Sequence, residues 1–227
     1  MAGLGLAGHP FSTWARDRGI TALYDGLETD RYLSEFAVET RITDDRVFTE
    51  GPAVNRAGEV YFTNIRMNRI LKWNPVDRLL TEFSSDSNAS NGLRFLPNGD
   101  LLACEGGSGK VVRIEAESGE KTVIADRFDG KSLQSPNDLD YDSKGRVYFS
   151  SRTGRPDPEK DNKKAVYRVD PDGRVVQLLA EPQVQVPNGV AVSPDEKTLY
   201  VIETNSKEHG NRKILAFDLH ADGSVAN

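Results

Sequence analysis

Four segments of this sequence repeat one plan, in which a strand-like run that begins with small or polar residues is followed by a turn and a second, more apolar strand. Counted from Gly51 to Asn91, Asn137 and Asn188, the steps between the segments are 40, 46 and 51 residues. Repeats of this length built from short strands are typical of β-propeller blades. The repeat therefore predicts an all-β fold, a β-propeller with about four blades in this chain.

The strand pattern also sets the expected limits of the domain. Residues 1–36 lack the regular turn signals of the repeat and predict a partly helical N-terminal extension, whereas residues 37–227 predict the propeller blades. A polar, proline-containing stretch between Ser151 and Lys164 has no periodicity and predicts an insertion loop on one face. Asp222-Gly223 predicts a hairpin turn into a short last strand.

Composition excludes several classes of function. The net charge of -6 and the pI of about 5.2 argue against a nucleic-acid partner, because such partners select basic surfaces. The apolar runs are too short to cross a bilayer, so no membrane partner is expected. The segment from Met1 to His9 lacks the basic and long apolar regions of a signal peptide, which predicts a cytoplasmic protein. A signal peptide lost from an upstream start is the alternative.

Polar residues recur at one place in the repeat and suggest a metal site. Glu50, Asn137 and Asn188 lie at the start of the first strand in three repeats, and in a propeller the first strands of all blades line the central channel. One carboxylate and two amide oxygens are hard ligands that suit Ca²⁺ or Mg²⁺, whereas the Cys and His spacing of a zinc site is absent. Asn91 has the corresponding position in the second repeat. For any one of these residues alone, an ordinary turn is the alternative.

Several segments resemble the family of gluconolactonase, regucalcin (SMP-30) and luciferin-regenerating enzyme, and most of all its gluconolactonase branch. They are residues 49–54, 103–106, 125–131, 135–139, 186–195 and 199–201, and the similarity extends from about residue 45 to the C-terminus. The resemblance implies a propeller of the six-bladed type with a divalent cation, most often Ca²⁺, on its axis. Its ligands here would be Glu50, Asn137 and Asn188.

The resemblance also implies a C-terminal truncation. The aspartate that provides the fourth ligand in the family lies in a Pro-Asp-Gly motif beyond the last matching segment, and this sequence ends at Asn227 before such a motif. Four blades that close a ring by themselves are the alternative. A truncated ring exposes the edge of its last blade, which predicts self-association.

The function implied by the resemblance is metal-dependent hydrolysis of a small sugar lactone to an aldonic acid, with the activity of a truncated chain in question. Asp138, beside a predicted ligand, is the candidate catalytic residue, either through chemistry or by orienting Asn137. Asn91 and Glu105 are candidates for substrate binding, although Glu105 could equally be a surface carboxylate. The alternatives are a Ca²⁺-dependent phosphotriesterase or aryl esterase on the same scaffold, and a propeller that binds a partner without catalysis.

Overall fold

The computed structural model describes residues 38–44, 46–152, 157–161 and 163–226. In this part of the chain nearly all regular structure is β, and a single 3-10 turn covers Ile65–Met67. No helix among these residues is long and apolar enough to cross a membrane. The predicted N-terminal extension lies outside the described residues and stays a prediction. The strands are β1 (Thr49–Val54), β2 (Val60–Asn64), β3 (Arg69–Asn74), β4 (Leu79–Ser84), β5 (Ser90–Phe95), β6 (Leu101–Glu105), β7 (Lys110–Ile114), β8 (Lys121–Ala125), β9 (Arg127–Phe128), β10 (Lys131–Leu133), β11 (Pro136–Tyr141), β12 (Val147–Ser151), β13 (Lys160–Asp161), β14 (Ala165–Val169), β15 (Val175–Leu179), β16 (Pro187–Val192), β17 (Thr198–Thr204), β18 (Arg212–Leu219) and β19 (Val225–Ala226).

Sixteen of these strands form four antiparallel sheets of four strands each, in simple sequence order. Sheet I is β1-β2-β3-β4, sheet II is β5-β6-β7-β8, sheet III is β11-β12-β14-β15 and sheet IV is β16-β17-β18-β19. The first strand of each sheet contacts the first strand of the next, from β1 to β5, β11 and β16. The all-β prediction is confirmed, and the four repeats correspond to the four sheets.

Apolar side chains between consecutive sheets form three separate cores. We call the face that a sheet turns toward the next sheet along the chain its leading face. In each core, the leading face of one sheet packs against the facing side of the next sheet. Alternation along each strand provides both faces, since neighbouring side chains point to opposite sides of a sheet. The three cores include Tyr61 and Ile70 with Leu93 and Leu101, Cys104 and Val111 with Phe149 and Tyr167, and Tyr148 and Val166 with Leu199 and Val201.

A small fifth sheet, in the order β13-β10-β9, was not predicted. β9 and β10 form an antiparallel hairpin before sheet III, and β13 pairs in parallel with β10. β13 lies inside the stretch that the sequence predicted to be an irregular loop. Strands of two or three residues are too short to show a periodic pattern, which is why the sequence did not reveal them.

The register of the four first hairpins defines the equivalent positions of the repeat. In each sheet, the first residue of the first strand pairs with the last or second-last residue of the second strand. These pairs are Thr49 with Asn64, Ser90 with Glu105, Pro136 with Ser151 and Pro187 with Glu203. The residue equivalent to Asn91 in sheet I is therefore Glu50, and not Gly51 as the repeat was first counted. The first step of the repeat is 91 − 50 = 41 residues.

Candidate metal-binding site

The four predicted polar residues lie at one end of four adjacent strands. Glu50, Asn91, Asn137 and Asn188 are the second residues of β1, β5, β11 and β16. Because these strands contact one another in that order, the structure brings the four positions to the same edge of the molecule. This edge, which we call the site edge, also carries the end of the second strand and the start of the third strand of every sheet.

A β-bulge follows the first residue pairs in each of these strands. Two residues of the first strand lie opposite one residue of the second, between Glu50 and Ala53 in sheet I and between Ser90 and Leu93 in sheet II. The same shift occurs between residues 136 and 139 and between residues 187 and 190. A bulge bends the strand and redirects its side chains, and bulges are frequent beside functional sites.

Glycine allows the first strands to approach closely behind the bulge. A Cβ on Gly51, whose φ is +53°, would lie 2.0 Å from the carbonyl oxygen of Asn91. A Cβ on Gly92 would lie 2.5 Å from Oδ1 of Asp138. A hydroxyl also joins the sheets, since Thr63 Oγ1 donates to the Asn91 carbonyl at 3.2 Å. These contacts fix the spacing of the strands that carry the candidate ligands.

The side chains of the candidate ligands have no protein partners. Among the described residues, the side chains of Glu50, Asn91, Asn137 and Asn188 make no hydrogen bond and no ion pair. Asn137 is only 8% exposed, and the other three residues are half-buried. Since buried polar groups are normally hydrogen-bonded, these oxygens are available to a ligand. Asn64, by contrast, uses its amide oxygen to accept from the Phe48 amide at 3.1 Å.

Asp138 is held between two sheets. Its Oδ2 accepts a hydrogen bond from the Val190 amide of β16 at 3.1 Å, and its own amide donates to Ser150 Oγ at 3.2 Å. Burial raises the pKa of the Asp138 carboxyl above its ordinary value; backbone amides oppose this rise, and the negative charge of Glu50 adds to it. The contribution of Glu50 shows that the two carboxyl groups interact at the site edge.

Glu105 lies at the site edge, but its carboxylate is already occupied. It is 2% exposed, and its oxygens accept hydrogen bonds from Asn88 Nδ2 at 2.9 Å and Ser108 Oγ at 2.7 Å. Lys121 Nζ lies 2.8 Å from Oε1. These contacts join the loop before β5 to the β6–β7 turn and to β8. The substrate-binding role expected of Glu105 from the sequence stays a prediction.

The donor set fits a hard divalent cation. No group of three His, Cys, Asp or Glu side chains that could hold a metal occurs in the described ranges, so amide oxygens have to supply most of a coordination sphere here. Ca²⁺ accepts amide and carboxylate oxygens together and tolerates irregular geometry. Glu50, Asn137 and Asn188, together with solvent, are suited to such an ion because their oxygens have no competing partner.

A second repeated polar position was missed by the sequence reasoning. The last polar residue of the second strand holds the segment that enters the sheet, since Glu203 accepts from the amides of Gln185 at 3.1 Å and Val186 at 3.0 Å. Asn64 does the same with the Phe48 amide in sheet I. The sequence signal is a polar residue at the end of the otherwise apolar second strand in several repeats. Aligning the second strands as well as the first strands would have revealed it.

These features define a class of protein, an all-β propeller whose first strands carry polar side chains along a common edge. The sequence profile of the SMP-30/gluconolactonase/LRE-like region matches residues 48–227. This chain belongs to that family, as the motifs of the sequence indicated.

Individual relatives agree with this assignment. The chain is 28% identical to the gluconolactonase of Zymomonas mobilis over 202 residues, which are 80% of this chain and 55% of that protein. It is 30% identical to the lactonase drp35 of Staphylococcus epidermidis over 172 residues, which are 73% of this chain and 51% of that protein. The chain thus spans about half the length of the curated relatives that it matches.

Solved structures confirm the propeller fold. A gluconolactonase from Xanthomonas campestris superposes with a TM-score of 0.70 at 28% identity, over 81% of this chain and 62% of that chain. Regucalcin from Agrobacterium tumefaciens, a calcium-binding protein, superposes with a TM-score of 0.59 at 18% identity, over 82% of this chain and 57% of that chain. The second likeness concerns the fold alone.

Proposed function

We propose that this chain carries the cation site of a divalent-metal-dependent lactonase that opens a sugar lactone to an aldonic acid. The observation that carries the proposal is the alignment of Glu50, Asn137 and Asn188 at one edge with no protein partner for their oxygens. Family membership provides the reaction class, because lactonases are among the matching relatives.

In this proposal Glu50, Asn137 and Asn188 hold the cation, most favourably Ca²⁺. When bound, such a cation supplies Lewis-acid stabilisation of the oxyanion that develops as the lactone carbonyl is attacked. Asn91 offers a further amide that can bind a substrate oxygen at the same edge.

Asp138 is assigned to this site as the candidate catalytic residue, and its contacts favour a positioning role. Its carboxylate links β11 to the Val190 amide of β16, and so fixes the separation of Asn137 from Asn188. A carboxyl with a raised pKa can also accept a proton more readily than an ordinary aspartate, which is the property of a general base. Asp138→Asn keeps the shape and removes the base. A loss of kcat with unchanged Ca²⁺ affinity supports the catalytic role, whereas weakened Ca²⁺ binding supports positioning.

Thermal unfolding with EDTA and with increasing Ca²⁺ tests the site directly. A ligand that binds only the folded state raises the free energy of unfolding by about 2.7 kcal/mol at a hundredfold excess over its Kd. We expect a saturable shift that is lost in Glu50→Gln and in Asn188→Ala. The matched controls are Glu117→Gln and Asn98→Ala, which lie in hairpin turns at the opposite edge. Equal Ca²⁺ shifts in the site variants and the controls contradict the proposal.

Activity assays separate the hydrolytic alternatives. Turnover of gluconolactone in Ca²⁺, compared with turnover of an organophosphate triester and an aryl ester, identifies the reaction class. Metal-independent folding together with no hydrolysis of any of the three favours a propeller that binds a partner. A cytoplasmic location stays a prediction from the N-terminal residues.

We also propose that the chain self-associates through the leading face of sheet IV. Tyr200, Ile202 and Ile214 lie on this face, and each is at least 40% exposed. The equivalent residues of the other sheets are packed against a following sheet. A second copy offers the same apolar face, and pairing the two faces removes both from water.

A further inference from the structure

A cavity lined by lysine side chains opens between sheets III and IV on the site edge. Ser151, the last residue of β12, pairs with Pro136 at the start of β11 and with Ala165 of β14, so Lys164, which precedes Ala165, lies at the same edge as Asn137. Glu203 pairs with Pro187 at the start of β16, so the loop that follows β17 lies at the same edge as Asn188. The cavity therefore opens on the same edge as the candidate cation site.

The lining of the cavity is basic. It has a volume of about 620 Å³ and is lined by Lys163, Lys164 and Lys207, with Glu181 as the acidic residue among the lining side chains. Lys163 lies over the ring of Phe128 at 5.2 Å. Within the described residues Lys164 and Lys207 form no ion pair. The ammonium groups of Lys164 and Lys207 outnumber the carboxylate of Glu181, which favours an anion, and the volume is within the range of small-molecule sites.

Amide side chains complete the lining. Asn205 Nδ2 donates to Gln185 Oε1 at 2.8 Å, and the Asn211 amide donates to the same oxygen at 3.1 Å, so this pair is held in place. Gln177 differs, because its buried Oε1 has no hydrogen-bond partner in the described part of the chain. Because Gln177 lines the cavity, this amide oxygen can accept a hydrogen bond from a ligand hydroxyl. Such a bond removes the cost of an unpaired buried oxygen.

We propose that this cavity binds a polyhydroxylated carboxylate, the class of compound produced when a sugar lactone opens. The assignment rests on the proposed lactonase function. Lys164 and Lys207 neutralise the carboxylate, and Gln177 together with the Gln185–Asn205 pair binds the hydroxyl groups. The cavity distinguishes the charged, open-chain acid from the neutral lactone, and it is a product subsite on the same edge as the cation site.

Isothermal titration of gluconate into the 227-residue chain, in EDTA and at low ionic strength, tests the proposal. We expect saturable binding that weakens about tenfold in Lys164→Ala and in Lys207→Ala, as the loss of one charge-assisted hydrogen bond predicts. Lys164→Arg keeps the charge and retains binding within about threefold on the same scale. Lys197→Ala, which changes an exposed lysine in the β16–β17 turn at the opposite edge, leaves binding unchanged. Thermal unfolding of every variant first establishes that it is folded.

Two further ligands sharpen the test. Glucose has the hydroxyl groups without the charge and is expected to bind at least about tenfold more weakly than gluconate, since the ionic contacts are lost. Inorganic phosphate that binds more tightly than gluconate overturns the assignment to a hydroxylated carboxylate. Absence of gluconate binding, or equal binding by the lysine variants and Lys197→Ala, also overturns it.

Glu50→Gln separates this proposal from the proposed function. Gluconate binding in EDTA that survives Glu50→Gln supports the cavity whether or not Ca²⁺ binds. A Ca²⁺-dependent rise in stability without any gluconate binding supports the cation site and overturns the cavity. The two proposals therefore fail through different measurements on the same set of proteins.

Discussion

Ile70 in sheet I and Ile214 in sheet IV occupy the same position in two copies of one repeat, but their environments are opposite. Ile70 pairs with Thr63 and is 0% exposed, whereas Ile214 pairs with Ile202 and is 68% exposed. Sheet II covers the leading face of sheet I, and the leading face of sheet IV meets solvent. The contrast shows that the repeat encodes an interface in each sheet whether or not a neighbouring sheet covers it.

The same contrast appears along the second strand. Tyr148 of β12 is fully buried against sheet IV, and the equivalent Tyr200 of β17 is 40% exposed. The sequence of sheet IV therefore looks like that of a covered sheet, with large apolar side chains on both faces. Stability is gained only where a second surface removes such side chains from water.

The largest expected difference comes from truncating the two isoleucines. Ile70→Ala removes a fully buried side chain and leaves a cavity, which costs about 2–5 kcal/mol of unfolding free energy. Ile214→Ala removes a side chain that is mostly in water, and surface changes of this kind stay within about 0.5 kcal/mol. Urea unfolding of both variants measures the difference. Similar destabilisation by the two substitutions would show that the leading face of sheet IV is covered in solution.

The two tyrosines give a smaller difference of the same kind. The Tyr148 hydroxyl donates to Asp142 Oδ2 at 2.9 Å inside the III–IV interface. Tyr148→Phe removes a hydrogen bond to a charged group, for which we expect a loss of about 1.5–3 kcal/mol. Tyr200→Phe should change stability by less than about 0.5 kcal/mol. Chemical denaturation compares them, and equal effects would argue against a structural role for the Tyr148 hydroxyl.

Much of this architecture could be predicted from sequence because alternation and turn residues are local signals. The strands Ala165–Val169 and Val175–Leu179 lie where the pattern placed them, and Val225–Ala226 follows the Asp222-Gly223 turn as expected. The β9–β10–β13 sheet could not be predicted, since its strands are too short for periodicity. The pairing of β13 with β10 joins residues that are far apart in sequence, such as Ser132 and Lys160, and no local pattern indicates it.

The candidate site was predictable in position but not in its contacts. Repeat counting was sufficient to bring Glu50, Asn137 and Asn188 to equivalent strand ends. The engagement of Glu105 depends on Lys121, which lies 16 residues away, and only the three-dimensional structure shows that this carboxylate is already paired. The contact of Asp138 with the amide of Val190, 52 residues away, is likewise invisible to any local pattern.

Measuring self-association tests whether the exposed leading face of sheet IV is an interface. If a second copy covers the leading face of sheet IV, Ile214→Lys places a charge in that interface, and we expect the dimer to dissociate about tenfold more readily, a change of about 1.4 kcal/mol. Val76→Lys is the control, because Val76 is 87% exposed in a turn of sheet I. Sedimentation equilibrium over a range of concentrations measures both. A chain that stays monomeric at every concentration, or equal effects of the two substitutions, rules out this interface.

The smallest expected difference is in the response to acid. Asp142 of sheet III and Ser193 of sheet IV have equivalent turn positions, and each accepts hydrogen bonds from two backbone amides of its hairpin. Burial alone would raise the pKa of Asp142, but hydrogen bonds from Arg146 and Tyr148 outweigh it and lower the pKa below its ordinary value.

A carboxyl with a lowered pKa in the folded state stabilises the protein above its unfolded pKa of about 4 and loses that contribution as the pH falls through the folded value. We therefore expect the stability of the wild type to decrease more steeply than that of Asp142→Asn as the pH is lowered below about 4, because asparagine does not titrate. Ser193→Ala removes a hydroxyl that donates to Asp195 and lowers the pKa of that carboxyl, so its cost should also shrink as the pH falls, but less than the cost of Asp142→Asn does, because Asp195 is exposed to solvent. Unfolding free energies measured at a series of pH values provide the comparison, and parallel curves for wild type and Asp142→Asn would show that acid acts elsewhere in the molecule.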